Sequence, residues 1–438
     1  TGKSFKSNSI VMSPDFIHQE DLYDDYKLEP LLPYRYSRLG PSLSVADVNG
    51  DGLDDFFVGN ATGYKGTLYI QQQDQSFVER SGPWLEDYMQ EDLGSIFFDF
   101  DGDGDQDLYV ASGGSTNSDS SDRLYINTSK GYVKSNWSPN DAVSSKAIAI
   151  SDFNKDGYPD LFVGNRNIPG KYPYSENSYL LENNGKKNNS LGFTDVTNSK
   201  APDFSTLGMI TDAIWLDFDG DGWEDLFLCG EWMPITYFKN ERGRLVKTEI
   251  DGFKNTKGWW NTMKFVDVDG DGDQDLIAGN LGLNHKFKSD SSSRFEVHAS
   301  DFDENGSMDI VLNYNKDGLQ LPLRGRECSS QQIPIIAKRF KTYREFADAS
   351  LSDIYGKSQL NKAKKYDIDT FGHHWFENLN GKGFIPHTLP KLAQLSSINT
   401  IEVVDFNKDT YPDIIVHGNL YDFEPETPRN DAGLGLLL

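Results

Sequence analysis

The residues of this chain most clearly suited to chemistry are aspartates in a recurring nine-residue pattern. Asp-x-Asp/Asn-x-Asp/Asn-Gly-x-x-Asp begins at Asp47, Asp99, Asp152, Asp217, Asp267, Asp301 and Asp405. Ca²⁺ is a hard cation that takes six to eight oxygens at about 2.3–2.6 Å. Positions 1, 3, 5 and 9 supply side-chain oxygens, position 7 can offer its carbonyl, and glycine at position 6 permits the sharp turn.

The first loop thus offers Asp47, Asn49, Asp51, Leu53 and Asp55, and the second Asp99, Asp101, Asp103, Asp105 and Asp107. The third offers Asp152, Asn154, Asp156, Tyr158 and Asp160; the fourth, Asp217, Asp219, Asp221, Trp223 and Asp225. Asp267, Asp269, Asp271, Asp273 and Asp275 make the fifth, and Asp301, Asp303, Asn305, Ser307 and Asp309 the sixth. The seventh is Asp405, Asn407, Asp409, Tyr411 and Asp413, with Thr410 where the others have glycine.

Positions 1, 3, 5 and 9 hold 24 of the chain's 68 acidic residues, so much of the negative charge is concentrated in the loops. Without a cation each loop gathers three or four mutually repelling carboxylates. Up to seven Ca²⁺ ions are expected, structural because each sits within its own hairpin. The sixth site is expected to be weaker and the seventh weakest. Mg²⁺ suits such loops poorly because it gives up water reluctantly, and an EF-hand would need twelve residues between helices.

The elements that must hold these loops read as strands. Ser42–Asp47 alternates with period two, and Asp55–Gly59 is a short apolar run ending in glycine. Ile96–Asp99 with Leu108–Ala111, and Ile214–Asp217 with Leu226–Leu228, repeat that hairpin. Second strand pairs follow at Thr67–Gln71 and Phe77–Glu79, at Arg123–Asn127 and Tyr132–Lys134, and at Tyr179–Asn183 and Phe193–Thr197. Four short strands in each unit of about 50 residues predict an all-β fold, a seven-bladed β-propeller with calcium loops in its hairpins.

The motif starts lie 52, 53, 65, 50, 34 and 104 residues apart. Thirty-four residues are too few for a blade. Either the sixth motif is a hairpin inside blade five, or blade five is stunted and blade six carries an insertion. The whole chain, 1–438, is expected to form one propeller. Residues 1–35 would close the ring, with Ile10–His18 completing the last blade.

A net charge of -26 argues against general nucleic-acid binding. No apolar run is long enough to span a membrane as a helix. Two cysteines, Cys229 and Cys328, cannot make a disulfide framework, so metal is expected to staple the loops. No export signal is recognisable at the start of the chain.

Residues 316–366 depart from this pattern, with 11 Lys/Arg against 5 Asp/Glu. There Ile336, Phe340, Tyr343, Ala347, Leu351 and Ile354 recur at helical spacing, predicting one amphipathic helix from near Pro334. Arg324, Arg326, Lys338, Arg339 and Arg344 are candidate anion-binding residues in this basic, partly helical insertion. The bland alternative is a solvated helix face answering the acidic blades. Cys328 has no histidine placed beside it by sequence and reads as an inert thiol. His373 and His374, if on a strand, face opposite sides and cannot share a metal. Trp232, Trp259, Trp260 and Trp375 suit packing better than sugar stacking, with one of the Trp259–Trp260 pair facing the core.

The repeats resemble FG-GAP/VCBS repeats, the calcium-loop blades of the integrin alpha-subunit and cartilage acidic protein propellers. Gly40–Asn60, Gly230–Ile235, Gly258–Asn261, Gly279–Asn284, Arg324–Pro334 and Arg429–Leu438 are more similar to large Bacteroidetes VCBS-repeat proteins associated with ASPIC/UnbV segments. That resemblance implies an exported, cell-surface, outer-membrane-associated or secreted protein, often a lipoprotein. It also makes the apolar end, Leu434–Leu438, expected as part of a longer polypeptide.

The leading expectation is a non-enzymatic module that binds a protein partner or an acidic glycan; a further reading makes it a subunit of an outer-membrane assembly. No catalytic residues are assigned. The alternative is a lyase- or dehydratase-like carbohydrate enzyme using Tyr343, His373, Arg324 and Arg326.

Overall fold

The computed structural model describes residues 11–114, 121–137, 144–185, 192–316 and 318–438. Residues 1–10 of the expected ring-closing segment, Ile10 among them, and Asp317 of the basic insertion lie outside the described residues.

Seven sheets are present among them. The first contains β1 (Met12–Ser13), β2 (Leu43–Ala46), β3 (Asp55–Val58), β4 (Thr67–Gln71) and β5 (Phe77–Arg80), in the order β1-β5-β4-β3-β2. The second runs β6 (Glu91–Phe98), β7 (Asp107–Gly113), β8 (Arg123–Ile126) and β9 (Val133–Lys134). The third is β10 (Ser145–Ser151), β11 (Asp160–Asn165), β12 (Tyr179–Asn183) and β13 (Phe193–Asp195), followed by the short helix α1 (Thr197–Lys200). The fourth is β14 (Met209–Leu216), β15 (Asp225–Met233), β16 (Thr236–Asn240) and β17 (Leu245–Thr248), with β18 (Gly258–Trp259) paired to β15. These meanders follow from the sequence: first strands such as β10 alternate buried and half-buried residues, whereas β7, β11 and β15 are buried throughout. A continuous apolar run is what a strand covered on both faces requires.

The fifth sheet is interrupted. It opens with β19 (Thr262–Val266) and β20 (Asp275–Gly279), and the chain then leaves to build another sheet. That sheet comprises β21 (Ser293–Ser300), β22 (Asp309–Lys316), β23 (Leu319–Pro322) and, after five short helices, β24 (Lys364–Ile368). The chain returns as β25 (His374–Asn378) and β26 (Phe384–Thr388) to complete the fifth sheet, β25 pairing with β20. The last sheet has three strands, β27 (Thr400–Val404), β28 (Asp413–His417) and β29 (Leu436–Leu437).

First strands pack in sequence, β2 on β6, β6 on β10, β10 on β14, β14 on β19 and β19 on β27. The sixth motif, in the β21–β22 hairpin, does not open a sheet in that series. Seven sheets therefore resolve into six in series and one inserted between the second and third strands of the fifth. This is the hairpin-inside-blade-five alternative, in place of seven equivalent blades.

Met12–Ser13 pairs in parallel with Phe77 and Val78 at the outer edge of the first sheet, not with the last sheet. Contact between the two ends of the series comes from a different place: Arg35 N donates to Asp422 O and Glu424 N to Pro33 O, both at 3.1 Å.

The basic segment does not form one helix. It forms α2 (Arg326–Gln332), α3 (Ile335–Arg339), α4 (Tyr343–Ala347), α5 (Leu351–Tyr355) and α6 (Lys357–Lys362). Thr342 with Glu345, and Ser350 with Asp353, make complete capping boxes that restart the helix twice. The restarts rotate the face, so Tyr343 and Ala347 are exposed while Phe346, Leu351, Ile354 and Leu360 join Val311 in a core.

Candidate metal centres

Each loop is folded on its first carboxylate. The position-6 amide donates to it in all seven copies, from Gly52 to Asp47 (2.8 Å) through Gly104, Gly157, Gly222, Gly272 and Gly306 to Thr410 and Asp405 (2.9 Å). The backbone is left-handed at every position 6, with φ +83 at Gly52 and +76 at Thr410. Position 4 is left-handed too, as glycine in four loops and as Lys155, Glu304 and Lys408 in the others. This second requirement was not read from the sequence, where position 4 looked free.

Position 9 ties five of the loops to the end of the third strand of their sheets. Asp107 accepts from Phe100 N (2.8 Å) within the loop and from Asn127 N (2.7 Å) on the third strand's end. Asp275 does the same with Val268 N (2.9 Å) and Asn378 N (2.7 Å). Burial raises these carboxyl groups, Asp225 to about 6, Asp107 and Asp309 to about 7 and Asp160 to about 8, and neighbouring loop carboxylates add to the effect.

The donor set fits a divalent cation. Carboxylate oxygens of Asp99, Asp101 and Asp107 lie within 4.8 Å of one another, as do those of Asp217, Asp219 and Asp221. Asp267, Asp269 and Asp271, and Asp301, Asp303 and Asp309, form two further trios. Asp105, Asp160, Asp217, Asp273 and Asp303 each keep one buried oxygen with no hydrogen-bond partner. A buried acceptor left unpaired costs free energy that a bound cation would recover. In the fourth loop Lys239 already supplies positive charge, its Nζ contacting Asp219 and lying 3.3 Å from Asp221.

The sequence reading also missed a recurring asparagine at the end of the third strand. Asn127 Nδ2 donates to Val48 O (3.1 Å), Asn183 Nδ2 to Phe100 O (2.9 Å) and Asn240 Nδ2 to Phe153 O (2.9 Å). Each acceptor is position 2 of the preceding sheet's loop, so these asparagines latch neighbouring sheets together at the loops. The visible signal was an Asn closing each of the segments ending at 127, 183, 240 and 378.

The basic candidates do not form one surface. Arg324 is 3% exposed and ion-paired with Glu424. Arg326 donates to Phe340 O (2.5 Å), Ala337 O (3.2 Å) and Glu327 (2.7 Å). Lys338, Arg339 and Arg344 are exposed, Arg344 lying 3.7 Å from Asp348.

The alternative catalytic group is likewise dispersed. His373 is fully buried, taking Asn280 N on Nδ1 (2.8 Å) with Nε2 2.9 Å from Ser396 O, and its pKa falls to about 4 through burial. Tyr343 is exposed and donates to Glu327. His374 begins β25 and its Nδ1 lies 3.0 Å from Gly372 O. Both cysteines are free. Trp232, Trp259 and Trp260 are all buried, so neither member of the pair faces solvent, and Trp375 stacks on His387 at 4.4 Å.

Residues 47–110, 99–163 and 217–278 match the family model of an FG-GAP-like repeat. Three stretches of the chain are thus similar to FG-GAP-like repeats. The matched stretches take in the first five loops; the inserted sixth and the seventh lie outside them. No curated protein matches the chain. Among solved structures it is similar to the V. cholerae biofilm matrix protein Bap1, at 12% identity and TM-score 0.34, over 93% of this chain and 80% of that one. It is also similar to Saccharomyces cerevisiae Sqt1, at 9% identity and TM-score 0.37, over 93% and 98% of the two chains. An exo-β-1,3-galactanase from Phanerochaete chrysosporium overlaps 64% of this chain and 89% of its own, at 8% identity and TM-score 0.30.

Proposed function

We propose that this chain is a calcium-stabilised β-propeller of six blades with an inserted seventh sheet. It acts outside the cell or on its surface as a binding or assembly module for a protein partner or a glycan. The carrying observation is the set of buried, unpartnered carboxylate oxygens in five of the loops. Those oxygens sit in separate hairpins, which suits ions that hold the scaffold rather than ions that meet a substrate. Exposed acidic loops of this kind suit the 10⁻⁴–10⁻³ M affinities of extracellular calcium modules, roughly the supply outside a cell. The resemblance to exported bacterial VCBS-repeat proteins supports an envelope location, with an outer-membrane assembly as the natural setting for a partner.

Thermal unfolding with and without chelator tests the reading. A site held at 100 times its Kd contributes about 2.7 kcal/mol, and several sites together rival the usual 5–15 kcal/mol stability of a domain. Chelation is expected to lower the Tm by many degrees, with Ca²⁺ restoring it better than Mg²⁺. An unchanged Tm refutes the metal assignment.

A further inference from the structure

First strands of five of the six serial sheets (β2, β6, β10, β14 and β27), with Asn261 just before β19, line a cavity of ≈ 680 Å³, and no residue of the seven loops is in its wall. Three of these strands carry a β-bulge at matching places. The unpaired residues are Leu93 in β6, Lys146 in β10 and Thr211 in β14, and all three line the cavity. A bulge re-aims a side chain at the expense of ladder pairing, and bulges concentrate beside sites for that reason.

The cavity wall holds four cationic side chains (Arg35, Arg38, Lys146, Arg166) and four carboxylates (Glu20, Asp212, Glu231, Asp422), but they are unevenly paired. Glu231 accepts from Tyr34, Arg166 and, at 2.8 Å, Tyr36. Asp212 accepts from Ala213 N (2.8 Å), Met263 N (2.7 Å) and Thr262 Oγ1 (3.0 Å). Asp212 and Glu231 are therefore satisfied within the protein, and Asp422 pairs with Arg38 at 3.1 Å, whereas Glu20, bonded to His18 through Oε1, keeps Oε2 without a partner. Lys146 has no hydrogen bond or ion pair among the described residues, and burial lowers its pKa to about 8. Arg35, at the same cavity, makes no ion pair among the described residues and lies over the Tyr26 ring at 5.5 Å. Trp232, next to Glu231, is held at φ +60, an uncommon backbone for a bulky residue and one often found near functional sites.

The spare cationic donors call for a ligand that brings its own anionic acceptor, and the open Glu20 oxygen for one that also brings hydroxyl donors. We propose that this axial cavity binds a carboxylate-bearing saccharide of one or two rings, its carboxylate received by Lys146 and Arg35. The size lies within the usual range for small-ligand sites, and the polar walls (Ser42, Asn261, Asn399 and Thr400) suit hydroxyl groups better than an apolar ligand. The proposal deepens the binding-module reading by naming the ligand class, and it does not depend on metal in the loops.

Calorimetry in calcium buffer tests it with galacturonate, digalacturonate, polygalacturonate, a neutral disaccharide and inorganic phosphate as probes. Digalacturonate is expected to bind and the neutral sugar not, with Lys146→Met weakening binding at least tenfold and Arg35→Gln less. Binding of the monomer alone identifies a free sugar acid as the source, and binding of the polymer identifies a glycan end. Equal binding of the neutral sugar, phosphate binding as tight as digalacturonate, no binding of any uronate, or full affinity in both variants overturns the proposal. Chelator melts of Lys146→Met show whether the metal-stabilised scaffold is intact, so failure at the cavity and failure at the loops give different results.

Discussion

Asn183→Ala is the perturbation that best separates the inter-sheet latch from the loop it touches. Asn183 is 1% exposed, and its side chain makes three hydrogen bonds: Nδ2 to Phe100 O (2.9 Å), Nδ2 to Pro159 O (3.1 Å), and Gly185 N to Oδ1 (2.9 Å). Its main-chain N–H, which reaches Asp160 at 2.8 Å, survives the substitution. A neutral hydrogen bond is worth about 0.5–1.5 kcal/mol net, so three amount to roughly 3 kcal/mol. The buried carbonyl of Phe100 is left unpaired, which adds about 1 kcal/mol or more. Urea unfolding in saturating calcium should therefore show a loss of about 3–4 kcal/mol. Asn184→Ala is the control, because the Asn184 side chain accepts from Thr194 Oγ1 (2.6 Å) at an exposed position, and it should cost under about 0.5 kcal/mol. Asn183→Asp, nearly isosteric but with an oxygen turned on the Phe100 carbonyl, should be at least as damaging as alanine. A cost under about 1 kcal/mol for Asn183→Ala, or one no larger than for Asn184→Ala, refutes the latch.

Three other outcomes follow from the geometry. Thr410 sits at φ +76 where six loops use glycine, so Thr410→Gly should stabilise the chain by about 1 kcal/mol in a denaturant titration, and a loss of stability contradicts the strain argument. His373 has a folded pKa of about 4 against 6.5, so its contribution is present above pH 6.5 and is lost as pH falls towards 4, at most on the order of 3 kcal/mol. His373→Gln should lose correspondingly less stability between pH 7 and pH 4, and an acid limb as steep as wild type rejects the assignment. Burial, with the hydrogen bond to Glu426 (2.9 Å), raises the Cys328 thiol to about 11. At pH 8 its alkylation should be at least tenfold slower than that of a free thiol and faster in Glu426→Gln, and rapid labelling of the parent chain counts against this environment.

The loops were legible because local chemistry makes them. A nonapeptide that needs carboxylates at alternate positions and a left-handed residue at position 6 carries its instructions within nine residues, and the period-two strands on either side are equally local. The same locality explains the errors. The placement of the sixth motif depends on β25 returning to β20 across 94 intervening residues, a pairing that no periodicity announces. Ile336 to Ile354 carries a helical spacing, but the caps at Thr342 and Ser350 break it into short turns, so the charges expected on one face are scattered.

The sequence by itself determined the repeat, the β-strand character of the units and the acidic loops with their chemical preference for a hard cation. Only the tertiary structure decided which residues meet on the axis. Lys146 is an ordinary lysine in a strand until a bulge turns it, and Arg35, Asp212 and Glu231 reach the same cavity from segments far apart in the chain. Short-range patterns fix φ, ψ and ligand spacing. The convergence of unpaired charge is a property of how the sheets pack, which is why the candidate binding cavity could be found only in three dimensions.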